Sequence, residues 1–143
     1  MNAIQPWLWY ALLSALFAAL TAIFAKLGLK QVNTDLATAI RTAFILVITW
    51  SIVLFKGSAS GLPLLSKNNW FFLVLSSFAT GLSWLFYYKA LQIGKVSQVS
   101  AIDKGSIVFT ILLSFFFLKE PLTPKLLAGA ALIFAGMIVL VWR

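Results

Sequence analysis

Five apolar runs, each close to the length a helix needs to cross a bilayer, leave this chain few folds to choose from. A hydrocarbon core about 30 Å thick is spanned by about 20 helical residues. The runs fall at about residues 7–25, 36–55, 70–88, 99–118 and 124–142, with lysine, glycine or proline between them. Inside lipid every backbone polar group must find a partner within the protein, and a helix achieves this by itself. Composition agrees: 62% of the 143 residues are hydrophobic and 10% are charged, where a soluble domain carries about 25% charged residues. The expected fold is an all-α integral membrane protein, with five transmembrane helices in one domain over residues 1–143.

The polar punctuation sets the helix ends. KGSASGLPLLSKNN reads as a loop after the second run, and QIGKVSQ as a short connection after the third. Lys119-Glu120-Pro121 closes the fourth run. Thr123-Pro124 opens the fifth, as an N-cap followed by proline at the first helical position. Trp7, Trp9, Trp70 and Trp142 stand at run ends, where an interfacial aromatic belt belongs. The N-terminal MNAIQPWLWY lacks a basic n-region, so the first run is expected to stay in the mature protein. Small residues are expected to mark close helix packing: Ala11, Ala15, Ala18, Ala22 and Ala25 on the first helix, Gly129 and Gly136 on the fifth.

The formal net charge is +8. Its carriers stand singly or in pairs at run ends, so they read as membrane flanks and not as the concentrated patch that binds nucleic acid. Lys56, Lys67, Lys119 and Lys125 fall on one membrane face; Lys26, Lys30, Lys89, Lys95 and Arg143 fall on the other. That bias is too small to fix one orientation. It leaves open either a single orientation or insertion both ways round, the latter giving an antiparallel pair of copies.

Enzyme chemistry is not expected. The chain has no cysteine or histidine and only three carboxylates, Asp35, Asp103 and Glu120. It carries no nucleotide-binding loop, no metal-ligand cluster, no nucleophile with a histidine base and no cofactor motif.

Charges inside the apolar runs are the candidate functional groups, because placing one at a helix centre costs roughly 2.5–3.5 kcal/mol. Arg41, Asp103 and Lys104 each lie a turn or two inside a run. Arg41 has two readings, an interface charge that snorkels or a cavity or ion-pair role. At 100° per residue, Ser100, Asp103, Ser106, Thr110 and Ser114 share one face of the fourth helix. Asp35, Thr38, Thr42 and Thr49 share a face of the second; Ser76, Thr80, Ser83 and Tyr87 share a face of the third. Such hydroxyls either bond back to the preceding turn or line a hydrated cavity. Lys104 points about 100° from Asp103, so the two need not pair; each can instead pair with another helix, Arg41 and Lys89 being the candidates for Asp103. Trp84, Tyr87 and Tyr88 form either an interfacial belt or a stacking surface for an organic cation or aromatic substrate.

The stretch YYKALQIGKVSQVSAIDKGSIVFTILLSFFFLKEPLTPKLLAGAALIFAGMIVLV resembles the signature half of an EamA domain of the drug/metabolite transporter superfamily. The matching elements are Ala90-Leu91, Glu120 with Leu122-Thr123, and the pattern Leu127-x-Gly129-x-x-Leu132-Ile133-x-x-Gly136. The opening helices are similar to small five-helix bacterial members. Larger relatives hold two such domains as a ten-helix inverted repeat and export metabolites or drugs by alternating access. The resemblance therefore implies a half-size bacterial inner-membrane transporter that works as a homodimer, parallel or antiparallel. Ten-helix relatives often carry a proline in the fourth helix near the position of Ile107, which this run lacks. A proline kink is not expected, and Asp103-Lys104 must supply local polarity differently.

The expected function is secondary transport, in the export direction, of small organic metabolites or drugs. Asp103 is the candidate for substrate binding or proton coupling, with Lys104 and Arg41 as electrostatic partners. Ser106, Thr110, Ser114, Tyr87, Trp84 and Thr42 are the candidate path-lining residues. Two alternatives stay open: a non-transporting membrane subunit that stabilises or regulates a partner, and a lipid-carrier translocase.

Overall fold

The computed structural model describes residues 5–142; residues 1–4 and Arg143, one of the charges in the facial count, lie outside the described residues. The chain is all helical, and no strand occurs among the described residues. The helices are α1 (Pro6–Gly28), α2 (Thr34–Phe55), α3 (Lys67–Ile93), α4 (Val96–Lys104), α5 (Ser106–Leu113) and α6 (Pro124–Val141). A 3₁₀ helix at Ser58–Leu64 follows α2, and a π-helical turn at Ser114–Leu118 follows α5. Five stretches are long and apolar enough to cross a membrane, with α4, α5 and the π turn together forming the fourth, Val96–Leu118. This is a multi-pass membrane protein.

Caps extend the helices past the apolar runs. The Asn33 side chain accepts hydrogen bonds from the Asp35 and Leu36 amides at 2.9 and 3.1 Å, satisfying donors that a helix start leaves over. That pulls the start of α2 back to Thr34, two residues before the apolar run. Thr123 Oγ1 does the same for the Leu126 amide at 3.2 Å, with Pro124 in the first turn of α6. The segment after α2 is more ordered than its composition implies. Gly57 turns with a left-handed φ of +67°, which glycine adopts without steric cost, and the chain enters the 3₁₀ helix. Lys67 already belongs to α3, so both ends of that helix lie outside the 70–88 read from hydropathy.

The described residues form two compact units, one of residues 25–92 and one of residues 5–24 with 93–142. In the first, the C-terminal end of α1 and the ends of α2 and α3 nearest it are joined by polar bonds. Lys26 Nζ donates to the Leu91 and Gln92 carbonyls at 2.6 and 3.2 Å. In return, Gln92 Nε2 donates to the Leu29 and Val32 carbonyls at 3.4 and 2.9 Å. The bonds satisfy terminal carbonyls that α1 and α3 cannot satisfy internally. Beneath them Leu29, Tyr88, Leu91, Thr34 and Thr38 are buried, Leu91 completely. Lys26, Lys30 and Lys89 thus gather at one end of this unit.

In the second unit α4 runs antiparallel to α6, with Gln98 Nε2 donating to the Leu140 carbonyl at 3.5 Å. No side chain of α4, α5 or α6 is buried. The small-residue faces behave differently from one another. Ala22 is buried, yet a Cβ placed at Gly129 or Gly136 would meet nothing within 4 Å. The glycines of α6 do not serve close packing within their own unit.

Candidate functional site

Two groups of the sequence-predicted residues are assembled by the fold, one in each unit. In residues 25–92, α2 carries Arg41 and α3 carries Trp84 and Tyr88, four residues apart and so on one helix face. The Arg41 Cζ lies 4.2 Å from the Trp84 ring centroid and 5.6 Å from that of Tyr88. Both are cation–π distances, worth about 0.5–2 kcal/mol depending on desolvation. Arg41 and Trp84 are half-buried and Tyr88 is 3% exposed. Of the two readings of Arg41, the structure therefore gives it inward partners. The aromatic faces that the sequence offered to an organic cation are occupied by the protein's own cation. Tyr87 stands beside Tyr88 with ring centroids 6.4 Å apart.

Lys89 has an acid within its own unit. Its Nζ pairs with Asp35 at 3.5 Å, joining the end of α3 to the first turn of α2. Both side chains are more than half exposed, so the pair contributes at most about 1 kcal/mol.

In the other unit Asp103 and Lys104 pair with each other, Nζ to Oδ2 at 3.6 Å. The helical angle between adjacent positions predicts separation. A lysine side chain is long enough to fold back across it, and the last turn of α4 leaves room to do so. Both groups are substantially exposed. The next residue, Gly105, interrupts the fourth span. Its amide bonds the Ile102 carbonyl at 2.8 Å and its carbonyl accepts from Val108 at 3.1 Å. These are i to i+3 bonds, a 3₁₀ tightening of the kind that marks a hinge or a strained stretch. The cause is packing. A Cβ at residue 105 would lie 2.8 Å from Met137 Sδ on α6 and 2.9 Å from the Ile102 carbonyl oxygen. A Cβ at residue 105 would fit only if the Met137 side chain and the Ile102 carbonyl both shifted. The span thus breaks without proline, one residue after the Asp103–Lys104 pair and two before Ile107.

The polar stripe projected along the fourth helix runs through this turn, where Gly105 keeps right-handed helical dihedrals. Asp103 ends α4, whereas Ser106 and Thr110 lie on α5 and Ser114 opens the π turn. Thr110 Oγ1 donates to the Ser106 carbonyl at 3.0 Å. Thr38, Thr42, Thr49 and Thr80 likewise bond the carbonyl four residues back, at 2.8–2.9 Å. Their hydroxyl protons are committed within their own helices, although each oxygen can still accept. The Ser114 carbonyl accepts from the Glu120 amide at 3.3 Å, while Lys119 turns at a left-handed φ of +56°.

Gly105, Met137, Lys26 and Gln92 are the functional or bracing residues that hydropathy and helical phase do not single out. Gly105 had one visible signal, a lone glycine inside an apolar helical run. Met137 had none, because its role exists only once α6 lies against α4.

Residues 5–142 match the EamA-like transporter family. A protein of Sinorhizobium sp. described as an uncharacterized transporter in the cobO 3' region is 45% identical over 136 residues, 95% of this chain and 96% of its own length. No solved structure matches the chain. Over nearly its whole length, with five membrane-spanning stretches, the chain belongs to the EamA-like transporter family.

Proposed function

We propose that the chain is a secondary exporter of small organic molecules that works as a homodimer by alternating access, two five-helix copies completing a ten-helix inverted repeat. The observation that carries this reading is the fourth span, broken at Gly105 directly after the Asp103–Lys104 pair. Transporters commonly place substrate and coupling-ion sites at interrupted membrane helices, where unwound backbone can bind and half-helices can rock. The open faces of Gly129 and Gly136 on α6 support a second copy, since small residues let helix backbones approach.

In this reading Asp103 is the coupling group. Protonated, it releases Lys104; ionised, it holds Lys104 at 3.6 Å. The proton equilibrium thereby changes the charge presented beside the break. Arg41 supplies a second fixed charge, held by Trp84 and Tyr88. Ser106, Thr110, Ser114, Tyr87 and Thr42 line the path, the threonines as acceptors only.

Purified protein in liposomes, screened for substrate flux under an imposed proton gradient, tests the proposal. Asp103→Asn is expected to abolish the response to the gradient while leaving the fold intact. Flux that is unchanged and equally pH-dependent in Asp103→Asn would remove Asp103 from the mechanism. Cross-linking of single-cysteine variants at Gly129 and Gly136 reads the dimer, with a covalent pair expected from each.

A further inference from the structure

The charges of residues 25–92 are strongly unequal. Lys26, Lys30, Arg41, Lys56, Lys67 and Lys89 face a single carboxylate, Asp35, which is paired with Lys89. Lys26 is engaged by the carbonyls that end α3. Arg41 differs from all of these in place and in partners. It lies seven residues into α2, about 10 Å along the axis at 1.5 Å per residue. Its guanidinium rests against Trp84 and Tyr88, and no acid of its own unit is left to neutralise it.

We propose that Arg41 is the anion receptor of the transport site, and that the substrates are small organic acids bound through a carboxylate. This rests on the transporter reading above and deepens it. The Arg41 guanidinium spends one donor on the Tyr88 hydroxyl, and of its five N–H donors the remaining fork can match the two oxygens of a carboxylate. Trp84 and Tyr88 hold that fork in place before the ligand arrives, which reduces the ordering cost of binding. The same contacts exclude an organic cation from this surface. Such a ligand must displace Arg41 from the rings and then remain beside its charge. Lys26, Lys30 and Lys89 collect at the end of the unit nearest Arg41 and raise the local concentration of anions there. An anionic lipid headgroup offers a similar oxyanion. The soluble acid is the source proposed, because Arg41 lies about 10 Å into α2, deeper than the level of the headgroups.

The test uses the full chain in a neutral maltoside detergent, melted against sodium acetate, succinate, citrate, glutamate and benzoate at constant ionic strength. Tetraphenylphosphonium and a short-chain phosphatidylglycerol form separate arms. At least one carboxylate is expected to raise Tm saturably. Its apparent affinity is expected to fall about tenfold or more in Arg41→Gln, and severalfold in Arg41→Lys, which keeps the charge and loses the planar fork. Equal responses in wild type and both variants, or no saturable response to any carboxylate, would overturn the proposal. So would a response confined to tetraphenylphosphonium or to phosphatidylglycerol. If Arg41→Gln does not fold, Arg41→Lys alone decides. Liposome flux separates the two readings. Arg41-dependent carboxylate binding without flux refutes transport and leaves the receptor standing. Flux of a cation that Arg41→Lys does not alter refutes the receptor and leaves transport standing.

Discussion

Residues 25–92 and the α4–α6 pair use opposite ways of holding helices together. The first region is braced. Lys26 and Gln92 exchange bonds between helix ends, Asp35 and Lys89 pair above them, and Leu29, Tyr88 and Leu91 are buried below. In the second, α4 and α6 meet through Gly105, Met137 and a side-chain bond from Gln98, with no buried side chain on either helix. Lipid tails are as apolar as leucine, so apolar contact alone gives little drive for helices to associate. A region held by polar bonds and a filled core is therefore suited to stay fixed. One held by close backbone approach around a 3₁₀ turn is suited to move.

The contrast breaks most sharply at Leu91. Leu91→Ala empties a completely buried site and should cost about 2–5 kcal/mol. Leu127→Ala on α6, at an exposed residue on the face opposite Gly129, should cost under about 0.5 kcal/mol. Thermal unfolding in one detergent compares the two directly, and similar costs would erase the distinction between braced and open regions. A smaller effect is expected at Gly105→Ala, where the new Cβ must push aside Met137 and the Ile102 carbonyl. Overpacking of this kind costs about 1–3 kcal/mol. Met137→Ala in the same chain should recover only part of it, because the carbonyl cannot retreat as a side chain can. Substrate flux should fall further than stability does if this turn is the moving element. The smallest effect is expected at Thr110→Val. Its hydroxyl is bonded within α5, so the change in unfolding free energy should stay within about 0.5 kcal/mol. A large loss of flux with unchanged stability would identify the Thr110 oxygen as a substrate acceptor.

The number of spans and the Thr123-Pro124 start of α6 are legible in the sequence because both are local. Run length and cap chemistry need no partner. The break at Gly105 is not legible in that way, since hydropathy runs smoothly through it and its cause is a methionine on another helix. Arg41, Trp84 and Tyr88 each stand out as unusual, yet nothing in one sequence sets the register that stacks them. Ion pairing follows the same rule. Helical angles separate Asp103 from Lys104, whereas the lysine side chain is long enough to fold back onto its neighbour.

The reciprocal bonds of Lys26 and Gln92 carry a consequence for synthesis. They join residues 60–66 positions apart. At 5–20 residues per second a ribosome needs roughly 3–13 seconds to make that length of chain. Throughout that interval the carbonyls ending α1 must be satisfied by water at the membrane surface, with α2 already made. A nascent chain stalled before Gln92 lacks the brace that fixes the end of α1 and the turn after it to α3.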